Sequence, residues 1–386
     1  YEIMPSLVGS EMCIRDSLES CGVRVVELSD ESGRARVCLV PAWQGRVMTS
    51  TAAGTGGPGY GWINRSLIAS GVRKSQFNPF GGEERLWLGP EGGPFSLYFA
   101  PGAEQVYANW QVPAALDTEP FRVVGRNARQ VRFEAEMSLR NAAGTRFEIG
   151  VARRVELLSH RQAEVSLGRA LPPELALVAY RSENRIGNCG PEPWTPAGGA
   201  PSVWMLGMFT PSPTTVVFLP CDGEEVRAAV NSDYFGELPD DRLSVSGGLV
   251  CLRIDGAFRS KIGLPAGRDT GLCGSYDAAA HHVTLVRYRR SAPGDRYVES
   301  RWGAQADPFG GDVVNAYNDG PTETGEVMGP FYEIETSSPA AFLRPGETLC
   351  HTQEVFHLQG DEALLEELLR GLIPGGLRAV KEAFNH

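Results

Sequence analysis

Along residues 131–140 apolar and polar side chains alternate. Val131, Phe133, Ala135, Met137 and Leu139 share one parity, and Arg132, Glu134, Glu136, Ser138 and Arg140 the other. Successive side chains of a strand point to opposite faces, so this segment is predicted as a strand with one buried and one solvated face. Asn141-Ala142-Ala143-Gly144 supplies a turn, and 145–158 returns as the partner strand with Phe147, Ile149 and Val151 alternating. The same rhythm of strand and turn recurs at 23–28, 34–40, 95–99, 175–180, 214–219, 249–254, 283–288 and 331–335. About ten strands without regular alternation with helices predict stacked antiparallel sheets. A helical stripe is clear only near the C-terminal end. Over 361–372, Leu364, Leu365, Leu368 and Leu372 share a face and Asp361 is placed to cap. Pro374-Gly375-Gly376 ends that helix, and 377–384 is predicted as a second short one.

Composition sharpens this picture only in part. The chain has 386 residues, of which 42% are hydrophobic, enough for a sizeable core and too many for a disordered chain. Its 46 glycines and 27 prolines agree with many turns and few long helices. A net charge of −11 argues against nucleic acid or an anionic membrane as partner, because both need a positive face. The uncharged stretch 201–221 carries Pro201, Pro211, Pro213 and Pro220, which no simple membrane-spanning helix would. None of the eight cysteines forms a C-x-x-C pair and no Cys/His cluster has zinc spacing, so no metal site and no cofactor are expected. Scattered thiols slightly favour a reducing compartment. Residues 4–17 resemble a translated sequencing-adapter stretch, so 1–18 is set apart as non-native or disordered. Residues 19–386 are read as a single β domain. With the opening stretch discounted, cytoplasm and periplasm both remain open, and so does the oligomeric state.

Three polar clusters could carry chemistry. The first joins Asn64 and Arg65, after Trp62, to Glu83, Arg85 and Trp87 in the glycine-bounded run 79–93. Acids, amides and guanidinium groups beside tryptophan suit a sugar, whose C–H face packs on an aromatic ring while its hydroxyls take hydrogen bonds. The same residues could instead pin loops through ion pairs. The second cluster runs from Ser182 to Gly190 and presents Asn184 and Asn188, or else forms a plain Asn/Gly turn. In the third, Asn318 and Asp319 precede Phe331-Tyr332-Glu333-Ile334-Glu335. Glu333 and Glu335, two apart on a strand, face one side together with Phe331. Like charges that close raise one pKa, which is what a general acid or base near neutrality requires. His351, on the next strand, is a candidate proton-transfer partner.

Taken jointly, these motifs resemble an uncharacterised bacterial family of the galactose-mutarotase-like (aldose 1-epimerase-like) superfamily. They are W-I-N-R at 62–65, G-G-E-x-R-x-W-L-G-P-E-G-G at 81–93, S-x-N-R-I-x-N at 182–188, 233–236, 259–263, 317–320 and F-Y-E-I-E-T-S-S-P at 331–339. The resemblance spans about 22–360. It implies an all-β antiparallel supersandwich, followed here by a short C-terminal helical segment, with a carbohydrate site on a concave sheet face. It implies that Asn64-Arg65 binds sugar and that Glu335, or its neighbour Glu333, is the late glutamate that opens the ring. Where that superfamily places its two histidines, this chain has Gly81-Gly82-Glu83 and Asn184 to Asn188. The acid partner would then be His351 or an acid such as Glu83.

The expected ligand is therefore a mono- or oligosaccharide, a sugar or sugar acid. Epimerase-like chemistry with Glu335 as base leads. A glycan lyase, a glycosidase and a non-catalytic binding protein on the same fold are the alternatives, and a scaffold protein is the reading with no ligand at all.

Overall fold

The computed structural model describes residues 11–232, 234–322 and 325–384. Most of residues 1–18, and Asp233 of the 233–236 motif, lie outside the described residues. Within them, helix Glu11–Ser20 packs Ile14 and Leu18 against Trp43, Met48 and Phe80.

The strands, in chain order, are β1 (Val26–Ser29), β2 (Arg36–Val40), β3 (Arg46–Thr51), β4 (Arg85–Gly89), β5 (Arg122–Arg126) and β6 (Gln130–Arg140). There follow β7 (Arg146–Leu157), β8 (Ala176–Asn188), β9 (Ser202–Phe209), β10 (Thr215–Pro220), β11 (Leu243–Ser246) and β12 (Leu249–Arg253). The last are β13 (Ser260–Pro265), β14 (Leu272–Asp277), β15 (His282–Tyr288), β16 (Asp312–Asn318), β17 (Tyr332–Ser337) and β18 (Thr348–Gln359). They form a ten-stranded sheet, β11-β12-β10-β14-β15-β18-β8-β7-β6-β5, a five-stranded sheet, β13-β16-β17-β9-β4, and a three-stranded sheet, β1-β2-β3. The pairings within these sheets are antiparallel, and the fold is an all-β supersandwich.

The alternation over 131–140 is realised as expected. Val131, Phe133, Met137 and Leu139 are buried while Arg132, Glu134, Glu136, Ser138 and Arg140 are exposed. Asn141 closes the hairpin by accepting from Thr145 N at 2.9 Å, and β6 pairs β7 from Gln130↔Glu156 to Arg140↔Arg146.

Residues 95–99 depart from the expectation. They form turns, not a strand, and Leu97, Tyr98 and Phe99 are buried in the core. The Tyr98 hydroxyl donates to Leu88 O at 2.9 Å, and Leu97 N donates to Pro90 O at 3.0 Å. A short apolar run can be buried as irregular chain when its polar groups find such partners, and pattern alone does not separate the cases.

The two larger sheets pack face to face. Tyr332 of β17 shares a hydrogen bond with Ser275 of β14 at 2.8 Å, and Thr336 meets His351 Nε2 and Gln353 of β18 at 2.8 and 2.6 Å. Helices His160–Leu167, Glu362–Leu369 and Gly376–Glu382 cover the opposite face of the large sheet over Phe218, Leu285, Phe356 and Leu358. Asp361 caps the second helix, accepting from Ala363 N and Leu364 N. The first, absent from the sequence reading, begins with a capping box between Ser159 and Gln162. The other face of the five-stranded sheet looks away from the large sheet, and the candidate chemistry lies there.

Candidate functional site

Antiparallel register decides which side chains share that face. Arg85, Leu206, Glu335, Asn315 and Gly263 lie level across β4, β9, β17, β16 and β13. Met208, Glu333, Tyr317 and Lys261 form the adjoining row. Trp87 and Trp204 pair one step further along β4 and β9. Side chains on directly paired positions point the same way, so Arg85, Trp87, Trp204, Lys261, Glu333 and Glu335 are all on one surface. The expectation that the two glutamates face one side is met in this register.

Each glutamate holds a different cation. Arg85 pairs with Glu333, and Lys261 Nζ lies 2.9 Å from Glu335 Oε2. The Trp204 indole also donates to Glu335 Oε2 at 2.9 Å. The Arg85 guanidinium lies over the Trp87 ring at 4.7 Å, and Lys261 Nζ is 5.3 Å from the rings of both Trp204 and Tyr234. Arg85 Nε and Nη1 and Trp87 Nε1 are buried donors with no hydrogen bond. Buried polar groups without partners are uncommon in folded proteins, and they mark this face for attention.

Burial pushes the Glu333 carboxyl up to about 7; Glu335 and Asp319 add to the rise, while Arg85 and Lys261 oppose it. Glu91, at the cis Gly89–Pro90 turn that follows β4, is likewise pushed up to about 7 by burial. Lys261 and the indoles of Trp110 and Trp302 favour its charged form, and Glu335 disfavours it. Burial alone would lower the Lys261 ammonium, but the carboxylates of Glu335 and Glu91 outweigh it and hold it above its ordinary value. On the same face, at its β13–β16 end, Asp312 accepts from Tyr234 at 2.5 Å and from Asn231 and Asn315 at 3.2 Å, and burial pushes it up to about 6. The face reaches solvent narrowly: Glu335 is 1% exposed, and Glu333, Lys261, Tyr317 and Asn315 are each 7–9%.

The remaining sequence candidates lie elsewhere. Asp319 is nearest, at the margin, accepting from Tyr317 Oη at 2.6 Å and Gly329 N at 2.9 Å. Asn318 points to the opposite face, accepting from Gly256 N and donating to Phe258 O, both at 2.9 Å. Asn64 caps helix Arg65–Ser70 by accepting from Leu67 N, and Arg65 is exposed on its first turn. Glu83 turns into the space between the sheets, where it accepts from Ser50 N at 3.1 Å and lies 3.6 Å from His357 Nε2. Asn184 is also there, accepting from Arg153 and donating to Ser182 Oγ. Asn188 pins a turn through Glu192 O and Leu343 O. His351 contacts Thr336, whose side chain alternates with those of Glu333 and Glu335 along β17, so it is on the other side of that strand. Burial lowers His351 to about 4. It lines a separate cavity of about 260 Å³ with Arg289, Asp295, Ser337 and Leu349. The structure therefore joins Arg85, Trp87, Glu333 and Glu335, with Asp319 at their edge, and separates the rest.

Lys261, Trp204, Glu91 and Asp312 were not singled out from sequence. Lys261 did carry a signal, a lone charge in the otherwise uncharged run 260–265. Among the described residues, no group of three or more His, Cys, Asp or Glu side chains is placed to hold a metal ion. No helix among them is long and apolar enough to cross a membrane.

No curated protein matches this chain significantly. Among solved structures, it is similar to the Slr1438 protein of Synechocystis sp. PCC 6803, with 14% identity, 93% of this chain and 100% of that chain covered, and a TM-score of 0.51. It is also similar to a galactose mutarotase-like protein of Lactobacillus casei ATCC 334, with 10% identity, 86% and 100% coverage, and a TM-score of 0.51. The fold is thus galactose mutarotase-like. Residues 16–384 match one family model, and the chain belongs to that family, the family of unknown function DUF6786.

Proposed function

We propose that this protein binds a sugar or sugar acid over the Glu333–Glu335 face and interconverts its anomers by acid–base catalysis. The observation that carries the reading is the pair of adjacent glutamates, each tied to its own cation, with Glu333 near 7. A carboxyl group raised towards neutrality beside a second carboxyl group offers the acid and base that ring opening needs. Glu335 takes the proton of the C1 hydroxyl, C1=O forms, and the C1–O5 bond breaks. O5 receives a proton from Glu333, the aldehyde rotates, and the steps reverse on the other face. Glu333 replaces His351 and Glu83 as the acid, because both of those lie on the far side of the sheet. Arg85 and Lys261, as fixed cations, would hold hydroxyls or the carboxylate of a sugar acid.

A second reading, binding without catalysis, is favoured by the burial of Glu335 and its two hydrogen bonds from Lys261 and Trp204. Anomer interconversion followed by NMR on hexoses and uronates separates the two. Acceleration that is lost in Glu335→Gln and in Glu333→Gln supports catalysis. Saturable binding with no acceleration supports the second reading, and absence of both binding and acceleration overturns the site.

A further inference from the structure

Three segments meet beside the Glu333–Glu335 face: 90–93 after β4, 104–110, and 299–305. Gln105 laces them together, and Gln305 braces the third from within. Gln105 Nε2 donates to Gly93 O at 2.7 Å, while its Oε1 accepts from Gly93 N at 2.8 Å and Gly303 N at 2.7 Å. Gln305 Nε2 donates to Arg301 O at 2.6 Å and Glu299 O at 3.0 Å. The approach is close enough to need glycine. A Cβ on Gly92 would lie 2.3 Å from Arg301 O, and one on Gly93 2.1 Å from the Gln305 side chain.

This frame carries a row of rings. Tyr107 and Trp110 stack with centroids 6.0 Å apart and planes 17° from parallel, and Trp110 and Trp302 with 6.4 Å and 25°. Phe99 meets Trp302 edge-on at 5.1 Å. The inner ring is buried, but Trp302 is 36% exposed and Tyr107 56%. Glu91 lies at the foot of the row, where both indoles and Lys261 favour its charged form, and Phe77 meets Trp110 and Trp87 edge-on at 5.7 and 5.4 Å. The rings are therefore continuous with the candidate site. Large aromatic surfaces left in water on a laced frame suit a flat apolar ligand face.

We infer that Tyr107 and Trp302, backed by the buried Trp110, form an outer sugar subsite, so that the ligand is an oligosaccharide with a pyranose ring stacked on an exposed ring of this row. The inference rests on the reading of the Glu333–Glu335 face as a sugar site and extends it from one ring to several. Stacking of C–H groups on π faces supplies the affinity.

The test is a tryptophan-fluorescence titration of the full chain. Its probes are glucose, galactose and mannose, and then maltotriose, cellotriose, β-galactotriose and β-mannotriose. At least one trisaccharide should bind about tenfold more tightly than its own monosaccharide. Tyr107→Ala and Trp302→Ala should each shrink that ratio towards one; Tyr107, mostly exposed, can be truncated with little disturbance of the core. Monosaccharide binding with no trisaccharide gain, or a gain that survives both substitutions, overturns the outer subsite alone. Absence of binding by either class overturns it together with the sugar reading of the face.

Discussion

Lys261 lies level with Glu333 yet pairs with Glu335, while Arg85 lies level with Glu335 yet pairs with Glu333. The two ion pairs therefore run as parallel diagonals that reach β17 from opposite flanks, each spanning two strand-to-strand steps. The arrangement gives each carboxyl group its own cation, one from each flank of β17 on the same face of the sheet. Neither glutamate can lose its cation without leaving a charge under nearly closed cover.

Removal of one member of such a pair should be far worse than removal of both. Lys261→Met leaves Glu335 buried without its cation and should cost about 3–5 kcal/mol in urea unfolding. The double variant Lys261→Met/Glu335→Met should cost clearly less than the two single changes summed. Strict additivity would show that the pair is not coupled.

Glu333 sets a pH dependence of stability. Its carboxyl is raised from 4.5 to about 7 in the fold, so the native state holds a proton that the unfolded chain has released. Its contribution is fully present below about 4.5 and is lost as pH rises towards 7, with a slope of at most about 1.4 kcal/mol per pH unit for one proton. Glu91 and Asp312, also raised, act in the same direction, and His351, which is lowered, acts in the opposite one. The difference between parent and Glu333→Gln isolates the term: unfolding free energies measured from pH 4 to 8 should diverge across that window. Parallel curves would exclude a raised Glu333.

His351 should matter to stability and not to proton transfer. Its imidazole meets Thr336 between the sheets at 2.8 Å, away from the glutamate pair. His351→Asn should lower stability by about 0.5–1.5 kcal/mol through loss of its buried hydrogen bond with Thr336, whose hydroxyl keeps Gln353 as a partner. It should leave the pH profile of any anomer interconversion where it was, and a displaced profile would return His351 to the chemistry.

Between the sheets, Glu84 pairs with Arg153, both side chains fully buried and 2.6 Å apart. Ser182 and Gln353 donate to the second oxygen of the same carboxylate. Arg153→Met should cost about 3–5 kcal/mol. By contrast Arg122–Glu134, with side chains 71% and 51% exposed, should be worth less than about 1 kcal/mol in a double-mutant cycle. Chemical denaturation of the two series gives the comparison directly.

Much of the architecture was legible from local pattern. Alternation at 131–140 placed β6, the Asn-Ala-Ala-Gly turn placed the hairpin, and the leucine stripe after Asp361 placed a terminal helix, because strand and helix periodicities are properties of neighbouring residues. The 95–99 run misled, since its burial comes from Leu88 O and Pro90 O, partners that no local pattern encodes. The spacing of Glu333 and Glu335 likewise put them on one face without any tertiary knowledge.

Which groups join that face was decided only by the assembled sheet. Five strands from four distant parts of the chain bring Arg85, Trp204, Lys261 and the two glutamates together through their registers. The same assembly sends Asn184, Glu83 and His351 into the space between the sheets, where they satisfy Arg153, Ser50 and Thr336. A polar residue on a buried strand looks alike in sequence whether it faces a ligand or the opposing sheet. The physical difference lies in which partner pays its desolvation, and that partner is hundreds of residues away for Glu333 and Arg85.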